Sequence, residues 1–207
     1  MQLLFDTYTY NKKGDAMNYI VCIAGLCGAG KSVVSDYFIR SGFAYIRFGQ
    51  LTMDELQKRN HPICEENERM IREELRDKYG MAAYAILNLP KMDEMIKTSH
   101  VIADGLYSFG EYKVLKEHYG RALVVIAVYA SPEVRYQRLA NRKLDPLDTT
   151  GRNRPLTRTE AISRDYREIE KSDKGGPIAM ADYTIINQSD FSNLENQVKE
   201  ILHELSL

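Results

Sequence analysis

From Tyr19 onward, short runs of consecutive apolar residues alternate with longer segments in which apolar positions recur every three or four residues. The runs at 19–24, 43–47, 100–103, 121–129 and 182–187 read as strands. The segments 31–40, 66–79, 110–118, 131–142, 157–171 and 190–205 read as helices. Ser131-Pro132 supplies a cap followed by a first-turn proline, and Thr157 with Glu160 forms a capping box. In the last helix Leu194, Val198, Ile201, Leu202 and Leu205 share one stripe, the spacing of core packing. Strands alternating with helices predict one α/β domain built on a parallel sheet covered on both faces. Residues 1–16 show no clear period and read as an N-terminal extension, leaving 17–207 as the domain. The polar stretch 143–156, with Asp145-Pro146, Gly151 and Pro155, breaks the alternation and reads as a loop.

The first apolar run leads directly into Gly25-Leu26-Cys27-Gly28-Ala29-Gly30-Lys31-Ser32, which fits G-x-x-x-x-G-K-[ST] at every fixed position. A tight loop between a buried strand and a helix points successive backbone N–H groups inward, and the helix N-terminus adds partial positive charge. Gly25, Cys27, Gly28, Ala29, Gly30, Lys31, Ser32 and Val33 are therefore expected to surround a polyphosphate. Lys31 is expected to reach the β and γ phosphates, and the Ser32 hydroxyl to hold the Mg²⁺ that bridges them. Together with the alternation, the loop predicts a three-layer P-loop NTPase fold: a five-stranded parallel sheet, helices on both faces, and a mobile lid supplied by 143–156.

Composition narrows the setting. The chain has 207 residues, 44% of them hydrophobic and 28% charged, as in an ordinary globular protein, and a net charge of −1 gives no global argument for nucleic acid or an anionic membrane. No apolar stretch approaches the length of a membrane span, and the N-terminus lacks a signal-peptide pattern, so a cytoplasmic location is expected. Cys22, Cys27 and Cys64 are an odd number without zinc-ligand spacing, which argues against a disulfide framework or a structural metal site.

Two further features bear on chemistry. Val101-Ile102-Ala103-Asp104-Gly105 is an apolar run ending in an acid, and Asp104 is the candidate carboxylate for Mg²⁺. Between Arg135 and Arg167 the near-neutral chain hides eight arginines and one lysine against four acids. Arg135, Arg138 and Arg142 fall within roughly one helical face, and Arg152 lies in the predicted lid. Arginine binds phosphate oxygens in a planar fork and stabilises charge on a transferring phosphoryl group. Arg138 and Arg142 from the helix and Arg152 from the loop are the expected phosphate contacts. The region lacks an interleaved aromatic platform, so no nucleic-acid partner is expected.

At these residues the chain resembles the small P-loop kinases of the nucleoside monophosphate kinase and dephospho-CoA kinase group. The resemblance covers about 19–205 and rests on the phosphate loop, on Val101 to Gly105, on Ala130 to Leu139, and on Ala181-Asp182-Tyr183-Thr184-Ile185-Ile186-Asn187. It implies that Asn187 and Gln188 neighbour the adenine, and that Arg47, Gln50 and the helix bearing Arg72 and Arg76 face the acceptor. It implies a kinase transferring the ATP γ-phosphoryl group, with Mg²⁺, to a nucleotide-like acceptor, a nucleoside monophosphate first and dephospho-CoA second.

Two departures stand out. Relatives commonly carry an acid near the position of Gln50, and several monophosphate kinases have an arginine where this chain has Tyr107. These motivate a second reading, a nucleotide-binding regulatory protein that has lost efficient transfer. A GTPase ranks lower, because Asn187-Gln188-Ser189-Asp190 is not the usual guanine signature.

Overall fold

The computed structural model describes residues 17–143 and 155–205. Five strands, β1 (Ile20–Ala24), β2 (Ala44–Arg47), β3 (Val101–Asp104), β4 (Leu123–Tyr129) and β5 (Tyr183–Ile186), form one sheet in the order β2-β3-β1-β4-β5. Every pairing is parallel. The helices are α1 (Lys31–Arg40), α2 (Gln50–Lys58), α3 (Glu65–Tyr79), α4 (Ala83–Met95), α5 (Phe109–Tyr119), α6 (Pro132–Ala140), α7 (Arg158–Glu170), α8 (Gly175–Ala179) and α9 (Phe191–Glu204).

Burial explains why β1 reads as an unbroken apolar run. Ile20, Cys22 and Ala24 point into one core with Met92, Leu106 and Leu115, while Val21 and Ile23 point into the other with Val34, Phe38, Leu194 and Val198. Both faces of the sheet are covered, so no position of the central strand faces water. The expected five-stranded parallel sheet between helical layers is what forms.

Register then does the work of assembly. Ile23 pairs with Asp104 and Arg47 also pairs with Asp104, so the carboxyl ends of β1, β3 and β2 lie side by side. That edge is where open parallel sheets bind ligands.

Several expected boundaries shift. Gly120–Ala122 is a 3₁₀ turn, so β4 starts at Leu123 rather than 121. Helix α6 ends at Ala140, with the Asn141 N–H closing onto the Gln137 carbonyl, so Arg142 follows the helix instead of belonging to it. Three helices lie in stretches where none was expected. Helix α2 follows Gly49 without a side-chain cap and so lacks a start signal, while α4 buries residues on several sides and contains Pro90, so it lacks a single apolar stripe. Helix α8 spans five residues. The Thr157 and Glu160 capping box forms in full. The N-terminal extension, most of the predicted lid and Arg152 lie outside the described residues.

Candidate active site

The phosphate loop joins β1 to α1, and its glycines are demanded by the backbone. Gly28 has φ 81° and Gly30 has φ 99°, left-handed values that strain any other residue. A Cβ on Gly30 would run into the Asn187 amide, and one on Gly28 would come within 2.8 Å of the Arg135 carbonyl oxygen.

The loop is held from behind by buried side chains. The Asn187 amide, at the end of β5, donates to the Ala29 carbonyl at 2.8 Å. Arg135, only 3% exposed, donates to the Cys27 carbonyl at 3.1 Å and the Ala130 carbonyl at 3.0 Å. It also grips the Asp165 carboxylate of α7 with both terminal nitrogens, at 2.8 and 2.6 Å. Arg135 shares the buried side of α6 with Leu139, so its place in the sequence pattern is that of a core residue. It is a support of the loop and not one of the phosphate contacts. Arg138 lies beside Asn187, donating to its Oδ1 at 3.4 Å, while its own Nη1 is buried without a hydrogen-bond partner.

A cleft of about 810 Å³ opens over the loop, lined by Cys27, Gly28, Gly30, Lys31, Ser32, Asp104 and Arg142 among others. Lys31 Nζ donates to the Leu26 carbonyl at 3.2 Å. Burial and then the neighbouring Lys174 push the Lys31 pKa down to about 8. A desolvated ammonium that remains charged at neutral pH is poised to accept an anion. The Asp104 carboxylate, 7% exposed, accepts from the Tyr45 hydroxyl at 3.3 Å. Ser32 and Asp104 thus offer hard oxygen donors to one cleft. This set fits Mg²⁺, which takes one or two protein oxygens and completes its shell with phosphate oxygens and water.

Not every expected residue faces this space. Val33 packs at the edge of the core, and the Ala29 carbonyl is taken by Asn187. The Gln188 side chain accepts from the Ser131 N–H at 2.9 Å, tying β5 to the start of α6. The Gln50 amide donates to Asp54 on its own helix at 2.9 Å, and Gln50 is absent from the walls of both clefts.

Next to the loop lies a second cleft, of about 960 Å³, walled by α2, α3, α7 and the segment leading to α8. Arg47, Arg72 and Arg76 line it as expected from the resemblance, and Arg69, Arg164, Arg167, Lys171 and Lys174 join them. These eight cations face four carboxylates, Glu65, Glu68, Glu73 and Glu168. Arg72 bonds Glu65 at 2.8 Å and Glu68 at 3.1 Å. Seven residues, Arg47, Met53, Glu68, Tyr107, Arg164, Glu168 and Lys174, line both clefts and so form the boundary between them.

Lys174, Glu168 and Arg164 are site residues that sequence reasoning missed, and Tyr107, noted there for standing where relatives have an arginine, lies among them. Lys174 is 1% exposed, bonds Glu168 at 2.7 Å, and lies 5.0 Å from the centre of the Tyr107 ring. Burial alone would raise the Glu168 carboxyl, but Lys174, Arg164 and Lys31 hold it well below the usual carboxylate range. Burial, the largest influence on Tyr107, pushes its hydroxyl well above the usual range, so it remains a neutral donor. Each looks like an ordinary charged or turn-adjacent residue in the sequence. The one available signal was their clustering near the ends of elements on the carboxyl edge of the sheet.

Behind the second cleft, Ser108 and Glu111 form the capping box of α5. Glu111 accepts from the Tyr107 and Ser108 N–H groups at 2.7 and 3.2 Å, and burial raises its pKa to about 8.

Comparison with known proteins agrees with this architecture. Residues 21–157 match the AAA domain family. A UPF0200 protein of Thermococcus sibiricus is 30% identical over 191 residues, covering 91% of this chain and 96% of its own. Among solved structures, a shikimate kinase from Bacteroides thetaiotaomicron aligns with a TM-score of 0.55 at 16% identity, over 91% of this chain and 99% of that one. A gluconokinase from Sinorhizobium meliloti gives 0.53, also at 16% identity, over 93% and 94%. Those likenesses show a P-loop kinase-like fold, and among the described residues no helix is long and apolar enough to cross a membrane. On the phosphate loop, the sheet order and the match along nearly its whole length, the chain belongs to the UPF0200 family, built on an AAA-type P-loop core.

Proposed function

We propose that this protein is an ATP- and Mg²⁺-dependent phosphotransferase acting on a nucleotide-like acceptor, with a nucleoside monophosphate ranked first and dephospho-CoA second. The observation that carries the reading is the shared wall: a phosphate-loop cleft and an arginine-lined cleft meet along Arg47, Tyr107, Arg164 and Lys174. A donor in one and an acceptor in the other would be brought end to end, which is most of what phosphoryl transfer requires of a protein.

In this reading the loop N–H groups and Lys31 hold the β and γ phosphates, and Arg142 stands at the same cleft. Arg138, whose Nη1 has no hydrogen-bond partner among the described residues, is a further phosphate contact, and Asn187 and Gln188 neighbour the adenine. Mg²⁺ held at Ser32 and Asp104 supplies charge neutralisation on the phosphate oxygens. The acceptor oxygen attacks the γ phosphorus, the bond to the β–γ bridging oxygen breaks, and ADP leaves with that electron pair. Lys174 and Arg164 stabilise the negative charge as it spreads over the transferring group. If the acceptor oxygen belongs to a phosphate, no proton has to be removed. That suits a chain with Gln50 where relatives commonly carry an acid. Tyr107, a neutral donor, takes the place of the arginine found in several monophosphate kinases.

The test is to incubate the protein with Mg-ATP and a panel of ribo- and deoxynucleoside monophosphates plus dephospho-CoA, reading ADP and product mass together. Acceptor-dependent ADP with one phosphorylated product is expected. Tight ATP binding without product from any acceptor would instead favour the regulatory reading that Gln50 and Tyr107 raise.

A further inference from the structure

The second cleft has two parts. Its boundary with the phosphate loop carries Arg47, Arg164 and Lys174 against Glu68 and Glu168. The remainder, which lines only the second cleft, carries Arg69, Arg72, Arg76, Arg167 and Lys171 against Glu65 and Glu73. Arg72 pairs with Glu68 across that division, so each part carries two positive charges in excess among the described residues; what distinguishes the far end is Arg69, Arg76 and Lys171, which make no ion pair with the described residues.

The far cations are also poorly satisfied within the protein. Glu65 is shared between Arg72 at 2.8 Å and Arg167 at 3.5 Å. Arg76 Nε and Arg167 Nε are buried with no hydrogen-bond partner. These two guanidinium groups come from different helices, α3 and α7, and line the same cleft. A buried N–H without an acceptor costs free energy that an arriving oxyanion recovers, and arginine matches the oxygens of a phosphate in a planar fork. Met53, Tyr84 and Tyr107 supply much of the apolar wall, and the Thr52 and Tyr84 hydroxyls are already bonded to each other at 2.6 Å.

We propose that the acceptor carries two separated anionic groups: one at the boundary with the phosphate loop, and a second, phosphate-like group bound at the far end by Arg69, Arg76, Arg167 and Lys171. This rests on the phosphotransferase reading and sharpens it, replacing a bare monophosphate by a bisphosphate-type acceptor.

The experiment saturates the donor site with Mg²⁺ and the non-hydrolysable ATP analogue AMP-PNP, whose own affinity is measured first. Calorimetry then compares two matched pairs, AMP with adenosine 3′,5′-bisphosphate and fructose 6-phosphate with fructose 1,6-bisphosphate. In at least one pair the bisphosphate should bind tenfold or more tightly than its monophosphate. The Arg69→Gln/Arg76→Gln variant should lose that advantage while keeping its AMP-PNP affinity. Arg167→Gln/Lys171→Gln, on the opposite wall, provides the same test should the first variant fold poorly. Equal affinities within both pairs, or an advantage that survives in the variants, would overturn the proposal. Absence of AMP-PNP binding would instead remove the phosphotransferase reading on which it stands.

Discussion

The two clefts are built on opposite principles. The phosphate-loop cleft is made largely of backbone, fixed by glycines at positive φ and by buried clamps from Asn187 and Arg135. Its neighbour is made of long charged side chains from several elements, several of them exposed and some paired with one another. A backbone site arrives already organised, whereas a side-chain site owes its shape to rotamers that an acceptor can rearrange. On the proposed reading, chemistry common to many substrates belongs in the first cleft and substrate identity in the second.

The comparison is broken most severely by Lys31→Ala. Loss of one preorganised donor to the transferring group should cost about 10²–10³-fold in ADP formation, with an unchanged circular dichroism spectrum. Next in size is Arg135→Met, which tests whether the loop is clamped from behind. It removes the cationic partner of the buried Asp165 carboxylate, which keeps the Tyr136 hydroxyl at 2.9 Å, and should cost about 3 kcal/mol, lowering Tm by roughly 10 °C in a thermal melt. A Tm within two or three degrees of the unmodified chain would show that the loop holds its shape unaided. On the other side, Arg72→Gln removes ion pairs to Glu65 and to the buried Glu68, to which the glutamine amide can still donate, so stability should fall by about 1–2 kcal/mol. Steady-state kinetics should show the acceptor KM rising roughly tenfold with the ATP KM unmoved.

A further contrast concerns pH. Burial raises the Glu111 pKa from 4.5 to about 8. Between those values the unfolded chain has lost a proton that the folded one retains, so this group makes stability fall as pH rises from about 4.5 to 8. Glu111→Gln should flatten that slope in urea titrations across the window. Burial lowers the His100 pKa and contributes the opposite sign, but equally in both proteins, so the difference isolates Glu111. An unchanged slope would mean that Glu111 ionises normally.

The same contrast explains what could be read from the sequence. The phosphate loop and the strands were legible because glycine geometry and two-faced burial leave contiguous marks on neighbouring residues. Asp104 was legible through its place at the end of an apolar strand. Helix α4 was not, since it buries Ala83, Tyr84, Asn88 and Met92 on more than one side and tolerates Pro90. Arg135 was grouped with Arg138 and Arg142 because a charge counted along the chain looks the same whether it faces solvent or Asp165. Lys174, Tyr107 and Glu168 meet only after α7, α8 and the β3 end are folded together, so no local spacing announces them.

The Arg135 clamp carries a further consequence. One guanidinium joins the Cys27 carbonyl of the loop to Asp165 of α7, and α7 also presents Arg164 and Glu168 to both clefts. A helix displaced by one ligand therefore pulls on the loop that holds the other. On the proposed phosphotransfer reading, linkage is reciprocal: whatever factor the acceptor applies to ATP affinity, ATP must apply to acceptor affinity.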